Sequence, residues 1–310
     1  MNICVANHSS ASAGDYINAI NSEVLSCSFH PIMTYTLYPD AQNIVIEGFT
    51  DDIIETIKSN FHKNDPRLIL IATEVLKDGI LDSASPEAGE EQSGWYDRNS
   101  DYWIERSRLF FEVIEYFGFI LCPAEAIYDS LAPLNLPNKL VYWRLRYYQN
   151  PKNIVNLWQH NQQSTPKTHT ILFTGTTTTY RAEQLDSIKN KGLTVLHSLA
   201  QTAEVVRMSF ARQAYLSIGI KHYKSTSLLS KMRVLWFLQH SFPFVVEKCS
   251  MKTDMDEYCL FYESLDDLSD YITDIKATNQ KCLENNLKFA KDTGVLLSSF
   301  SECLEYSKKN

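Results

Sequence analysis

The feature that most constrains this chain is the order of patterns between Thr168 and Glu247, where short apolar runs alternate with helical segments at regular spacing. Thr168-His-Thr-Ile-Leu-Phe-Thr-Gly175 is an apolar run that empties into a hydroxyl-rich loop, Thr176-Thr-Thr-Thr-Tyr-Arg181, and a polar helical pattern follows from Ala182 to Asn190. Lys191-Gly192 closes that helix, and Leu193-Thr-Val-Leu196 reads as a second short strand. After an amphipathic segment, Ala214 to Ile220 is a third strand, and a helix from Lys231 to Leu238 leads into Phe242-Pro-Phe-Val-Val-Glu247. Strands and helices alternating in this way predict a parallel, doubly wound sheet. The strand-loop-helix at Gly175 leaves backbone N–H groups at a helix N-terminus, where the macrodipole favours an anion.

The first half carries the same alternation more loosely. Asn2 to Ala6 reads as a strand, followed by the small-polar loop Asn7 to Gly14 and a helix over Asp15 to Ile20. That loop is too long and irregular for a Gly-x-Gly-x-x-Gly fingerprint, so a nicotinamide cofactor is not indicated. Ile44-Val-Ile46 is a second strand, and Asp51 to Phe61 a helix with Ile53, Ile54, Ile57 and Phe61 on one face. Arg67 to Ala72 is almost wholly apolar, as a strand covered on both faces should be, and it ends at Thr73-Glu74. From Lys77 to Ser100 the pattern gives way to Asp, Ser, Pro, Gly and Glu, the composition of a surface loop. A helix over Asp101 to Tyr116, a strand over Phe117 to Cys122, a helix opened by Pro123 and an apolar-aromatic stretch from Lys139 to Tyr148 complete this half. Asn150 to Lys167 is polar and proline-punctuated, so it reads as a linker. Beyond Glu247 come a last strand, Leu260 to Tyr262, a helix over Leu265 to Thr273 and a long amphipathic pattern from Ala277 to Leu304.

Cores stop growing beyond about 250–300 residues, so a chain of 310 residues suits one large or two medium domains. The expected fold class is α/β with two Rossmann-like domains, 1–150 and 168–275, a ligand cleft between them, and a helical segment over 276–310. The formal net charge is −8 and no run of five or six basic residues exists, so duplex nucleic acid is not an expected partner. A local basic cluster does form, from Arg181, Arg207, Arg212, Lys221, Lys224, Lys231 and Arg233, with a solvated face as the alternative reading. No apolar stretch is long enough to span a membrane, and contact with a membrane surface is left open. The seven cysteines include no Cys-x-x-Cys pair, and the N-terminus lacks the pattern of a signal peptide, so reduced thiols in a cytoplasm are expected.

Taken together, Gly175, Arg181, Gly192, His222, Tyr223, Arg233, Pro243 and Glu247 stand in an order that resembles the donor-binding half of GT-B glycosyltransferases, the two-Rossmann-domain class. The likeness covers the C-terminal half well and the N-terminal half by general pattern. Gln239 and Trp236 stand where many retaining members carry a first glutamate. The resemblance implies a nucleotide-sugar donor, an acceptor-side N-terminal domain, no cofactor, and terminal helices that cross back onto the N-terminal domain. It implies donor binding by Gly175, Thr176, Arg181, His222, Tyr223, Arg233 and Glu247.

The residues offer chemistry of the same kind. Glycine permits close backbone approach, and a guanidinium offers bidentate bonds, so Gly175 to Thr179 with Arg181 suits a phosphate; a threonine N-cap beside a surface arginine is the alternative. His222 and Tyr223 follow a strand end and could stack on or hydrogen-bond to a donor, or be ordinary part-buried side chains. Glu247 could accept two ribose hydroxyls, or simply end a strand; Arg233 could pair with it. For a general base, His8 and Glu74 both sit at strand ends, whereas Glu87, Glu90, Glu91 and Asp97 lie in the acidic loop, where water would keep them too acidic. Trp95 and Tyr96, in that same loop, are candidate acceptor contacts that stack on sugar faces, with Trp95 packing on the following helix as the alternative. No Asp-x-Asp motif stands at a strand end, so no metal site is expected. The function expected is transfer of a sugar from a nucleotide-activated donor to a glycan of a polysaccharide, lipopolysaccharide or protein; a non-catalytic relative and a nucleic-acid-modifying transferase are the alternatives.

Overall fold

The computed structural model describes residues 2–4, 32–81, 100–137, 139–143, 151–163, 169–199, 202–224, 226 and 228–293. His8, Trp95, Tyr96, Glu87, Glu90, Glu91, Asp97 and the expected helix over Asp15 to Ile20 lie outside the described residues. The described residues divide into two compact units, the first within 2–143 and the second within 151–293.

In the first unit, β1 (Asn2–Cys4), β2 (Ile32–Thr34), β3 (Asn43–Ile46), β4 (Asp65–Ile71), β7 (Phe117–Cys122) and β8 (Lys139–Tyr142) form one parallel sheet in the order β2-β1-β3-β4-β7-β8. A small antiparallel hairpin, β5 (Leu76–Lys77) with β6 (Ile80–Leu81), opens the stretch that sequence alone reads as patternless loop. The central strands β3, β4 and β7 are buried along their apolar lengths, as sheets covered on both faces require. Helix α1 (Asp51–Asn60) starts where the Thr50 hydroxyl accepts from the Ile53 N–H, and it buries Ile53, Ile54 and Ile57 at the expected helical spacing. Helix α2 (Ser100–Val113) follows, continued by a 3-10 turn over Ile114–Tyr116, and α3 (Glu125–Leu131) lies between β7 and β8. Gly118 on β7 sits so close to β4 that a Cβ there would lie 2.7 Å from the Asp65 carbonyl oxygen. The pairing of those two strands shifts register between Asp65 and Ile69.

The second unit opens with a correction to the sequence reading. Residues expected as linker form helix α4 (Pro151–Gln163). Its polar composition hides a narrow stripe at helical spacing, Ile154, Trp158 and Asn161, each less than a tenth exposed. Pro151 stands at the helix start, where its missing N–H costs nothing.

The sheet of this unit is wholly parallel, in the order β10 (Thr194–Ser198), β9 (Thr170–Thr174), β11 (Leu216–Gly219), β12 (Phe244–Glu247), β13 (Phe261–Tyr262). Helices α5 (Thr179–Asn190), α6 (Glu204–Gln213), α7 (Lys231–His240), α8 (Leu265–Thr273) and α9 (Ile275–Thr293) connect and cover it. Ile171, Phe173, Leu216, Ile218 and Val245 meet Leu185 and Ile188 of α5 and Leu268 of α8 in one apolar cluster. Asn161 donates from Nδ2 to the carbonyls of His240 at 2.9 Å and Ser241 at 3.3 Å, groups that the end of α7 leaves without helical partners. Helix α9 packs against α4 and α8 of its own unit; residues 294–310, the rest of the expected helical segment, lie outside the described residues.

No helix among the described residues is long and apolar enough to cross a membrane. Cys122, Cys249, Cys259 and Cys282 are free thiols.

Candidate functional site

In the second unit the chain order reverses between β9 and β11, and open α/β sheets bind ligands outside the carboxyl ends of such a strand pair. Gly175 leaves β9 with φ +138, a region that disfavours any side chain. Thr178 then caps α5: its hydroxyl accepts from the Arg181 N–H at 3.3 Å and donates to the His222 carbonyl at 2.6 Å, which ties the loop after β9 to the loop after β11. Thr176 and Thr177, between them, are exposed.

Arg181 lies in the notch between these loops and is 4% exposed. Its Nε donates to the carbonyls of Lys221 at 2.9 Å and Ile220 at 3.2 Å, and Nη2 to Ile220 at 3.0 Å. Nη1 donates to the Thr176 carbonyl at 2.8 Å and to Nδ1 of His222 at 3.3 Å. The guanidinium therefore staples the two loops together. Because arginine only donates, Nδ1 of His222 must be the acceptor and Nε2 carries the proton. Burial, then the positive charges of Arg181 and Arg233, push the His222 pKa down to about 3, so the ring is neutral at physiological pH. Tyr223 is buried behind it, edge-on at 4.5 Å between ring centres.

Arg233, on the first turn of α7, reaches the same loop, since a Cβ built on Gly175 would lie 2.9 Å from its Nη2 and 3.4 Å from Nη1 of Arg181. Neither α5 nor α7 carries an acidic residue in its first turn, whereas α1 opens with Asp51 and Asp52. The N-terminal charge of α1 is thus met within the protein, and at Gly175 the side chains that converge are cationic.

Glu247 ends β12 and is 8% exposed. Its carboxylate accepts from the Tyr180 hydroxyl and, at 3.0 Å, from the Lys221 backbone N–H, with Lys221 Nζ 3.3 Å away. Any ribose hydroxyl would have to share Glu247 with these donors. His197 on β10 donates from Nε2 to the Gly175 carbonyl at 2.8 Å. Tyr180, Lys221 and His197 were not singled out for these roles by sequence reasoning. Lys221 was marked only as part of a basic cluster, and nothing in the pattern reveals the other two.

The structure thus brings Gly175, Thr176, Arg181, His222, Tyr223, Arg233 and Glu247 to one edge of one sheet. Glu74 belongs to the first unit, just past β4. There the sequence reading overlooked its neighbour Glu47, which stands just past β3, fully buried, and accepts from the Thr73 N–H at 2.7 Å. Arg106 of α2 bonds Glu47 from Nε at 3.1 Å and Nη2 at 2.9 Å, and the same Nη2 stands 3.6 Å from Glu74. Glu47 follows an apolar strand just as Glu74 and Glu247 do, so the rule that found those two would have found it. Among the described residues no group of three or more His, Cys, Asp or Glu is placed to hold a metal ion.

No protein-family model matches this chain, and no curated protein does. Among solved structures, the N-terminal domain of Candida albicans trehalose-6-phosphate phosphatase aligns over 97% of this chain and 78% of that one, at 9% identity and a TM-score of 0.45. The class that the chain itself defines is that of parallel α/β proteins with a basic, glycine-opened strand end.

Proposed function

We propose that the second unit binds the diphosphate of a nucleotide-activated sugar, and that the chain is a glycosyltransferase passing that sugar to a glycan acceptor. One observation carries the reading: at the strand-order reversal, a glycine with φ +138, the first turn of α5 and the Arg233 guanidinium converge, without an acidic residue in either helix's first turn. Backbone N–H groups and a guanidinium at such a place suit phosphate oxygens. Neutral His222 offers an Nε2–H, a donor that does not lose its proton as pH rises through neutrality. Arg181 positions the loop that makes this cradle. Glu74 of the first, acceptor-side unit is the candidate base, since a carboxylate with little exposure can take a proton from an acceptor hydroxyl.

One observation favours a second reading, a non-catalytic nucleotide- or sugar-binding protein: Arg181 and Glu247 are both engaged within the protein. A thermal-shift and calorimetric panel of UDP, GDP, CMP and ADP tests the binding that both readings share. Donor hydrolysis and transfer onto a glycan panel then separates them. Silence from all four nucleotides sinks both.

A further inference from the structure

We propose that Arg106 is a positioning residue for Glu74, anchored from behind by the buried carboxylate of Glu47, so that Glu47, Arg106 and Glu74 act as one unit at the carboxyl edge of the first sheet. The inference rests on the transferase reading for what Glu74 does, and on geometry for how it is held.

Glu47 has no exposed surface, and its two oxygens are divided between two tasks. Oε2 takes the Thr73 N–H at 2.7 Å, and Oε1 takes Arg106. The guanidinium is fixed further by an Nη2 bond to the Thr73 hydroxyl at 3.1 Å and by the Trp103 ring, 5.2 Å from its centre. With Nε and Nη2 locked on Glu47, the Nη2 edge is turned toward Glu74 at 3.6 Å. Exposure rises along this line, from 0% at the Glu47 side chain to 12% at Arg106 and 16% at Glu74. The unit therefore has a buried end and an end that reaches solvent.

A purely stabilising role explains this poorly, because a buried ion pair contributes little over apolar residues of the same shape. Its placement gives a better account: β3 adjoins β1, where the strand order of this sheet reverses, and ligands of open α/β sheets sit at such edges. Charged or titratable groups of four elements meet at the unit. Glu47 comes from just past β3, Glu74 from just past β4, Arg106 from α2, and Cys122 from β7, whose thiol is pushed up by burial and then by the Glu47 charge. The guanidinium, 3.6 Å away and itself locked on Glu47, fixes where the Glu74 carboxylate stands at this edge.

The test reads Glu74 directly, by carbon-detected NMR titration of its side-chain carboxyl, which needs no substrate. Replacing Arg106 alone strands a buried charge, so the informative variant is the double replacement Glu47→Gln with Arg106→Met, which removes the cation and leaves no buried ion. The titration midpoint of Glu74 should rise by about one unit or more in that variant. Arg106→Lys, which keeps charge but not the planar fork, should shift it less. Where transfer is measurable, the acid limb of the kcat/KM profile should move to higher pH by the same amount. An unmoved Glu74 midpoint in a folded double variant overturns the proposal, as does an unmoved acid limb alongside lowered stability. If the midpoint moves but no nucleotide sugar is hydrolysed, the positioning stands and the transferase reading falls.

Discussion

Arg181→Met separates a residue that holds the site from one that grips the ligand. The side chain fits the same channel over Phe173, whose ring the guanidinium now faces at 5.5 Å, but four acceptors lose their donor. Thr176 is exposed and Lys221 partly so, which lets water reach their carbonyls. The Ile220 carbonyl and Nδ1 of His222 are not so easily rescued, and a buried acceptor left unpaired costs roughly 1–3 kcal/mol. For two such acceptors, adding the lost ring contact at about 0.5–1 kcal/mol gives a destabilisation of about 2.5–7 kcal/mol. For a unit of this size that corresponds to a fall in Tm on the order of 10 °C. Urea unfolding followed by circular dichroism measures it, with the nucleotide panel run on the same samples. A loss below about 1 kcal/mol, with nucleotide binding abolished, would refute the reasoning and return Arg181 to direct phosphate contact.

Three further outcomes follow from the same geometry. Gly175→Ala should destabilise by roughly 1–3 kcal/mol and weaken nucleotide binding, because φ +138 disfavours a Cβ that would also meet Arg233 Nη2 at 2.9 Å; paired unfolding and calorimetry check both. His222 is neutral in the fold with its pKa lowered to about 3 from 6.5, so the unfolded chain binds more protons between those values and stability is lost as pH falls through that window. His222→Asn, which keeps an acceptor for Arg181, should therefore lose about 1.7 kcal/mol less than the wild type between pH 6.5 and 5, the slope growing to about 1.4 kcal/mol per pH unit once the unfolded ring is fully protonated. Gly118→Ala should unfold more readily than Gly175→Ala, because its Cβ would meet backbone, the Asp65 carbonyl oxygen at 2.7 Å, rather than the far end of a side chain; equal midpoints in urea would count against that.

Sequence pattern carried the second unit further than the first. Apolar runs bounded by glycine and hydroxyl residues gave β9, β11 and β12 near their true limits, since strands buried on both faces have little freedom of composition. The helix over Leu265 to Thr273 was legible for a different reason, its polar start and amphipathic spacing, and Ser264 and Asp267 form a capping box there. Helix α4 was not, because only Ile154, Trp158 and Asn161 mark its buried face and the rest of it is polar. The site was legible as a place and not as a set of contacts. That Gly175, Arg181, His222 and Glu247 share one edge follows from strand order, whereas the turning of Arg181 inward onto Ile220 and Lys221 depends on carbonyl directions that no spacing encodes. Arg106 shows the same limit: it lies within an amphipathic helix, and only the fold brings it to Glu47 and Glu74.

The most direct test of the central claim is isothermal titration of UDP, GDP, CMP and ADP into the wild-type chain and into Arg233→Met. Arg233 lies beside Gly175 on the first turn of α7, so its loss should remove a charge-assisted phosphate contact. The account predicts one-site binding of at least one nucleotide by the wild type and a Kd raised roughly tenfold or more in the variant, equivalent to about 1.4 kcal/mol. No heat from any of the four, or binding that is indifferent to Arg233, would contradict it.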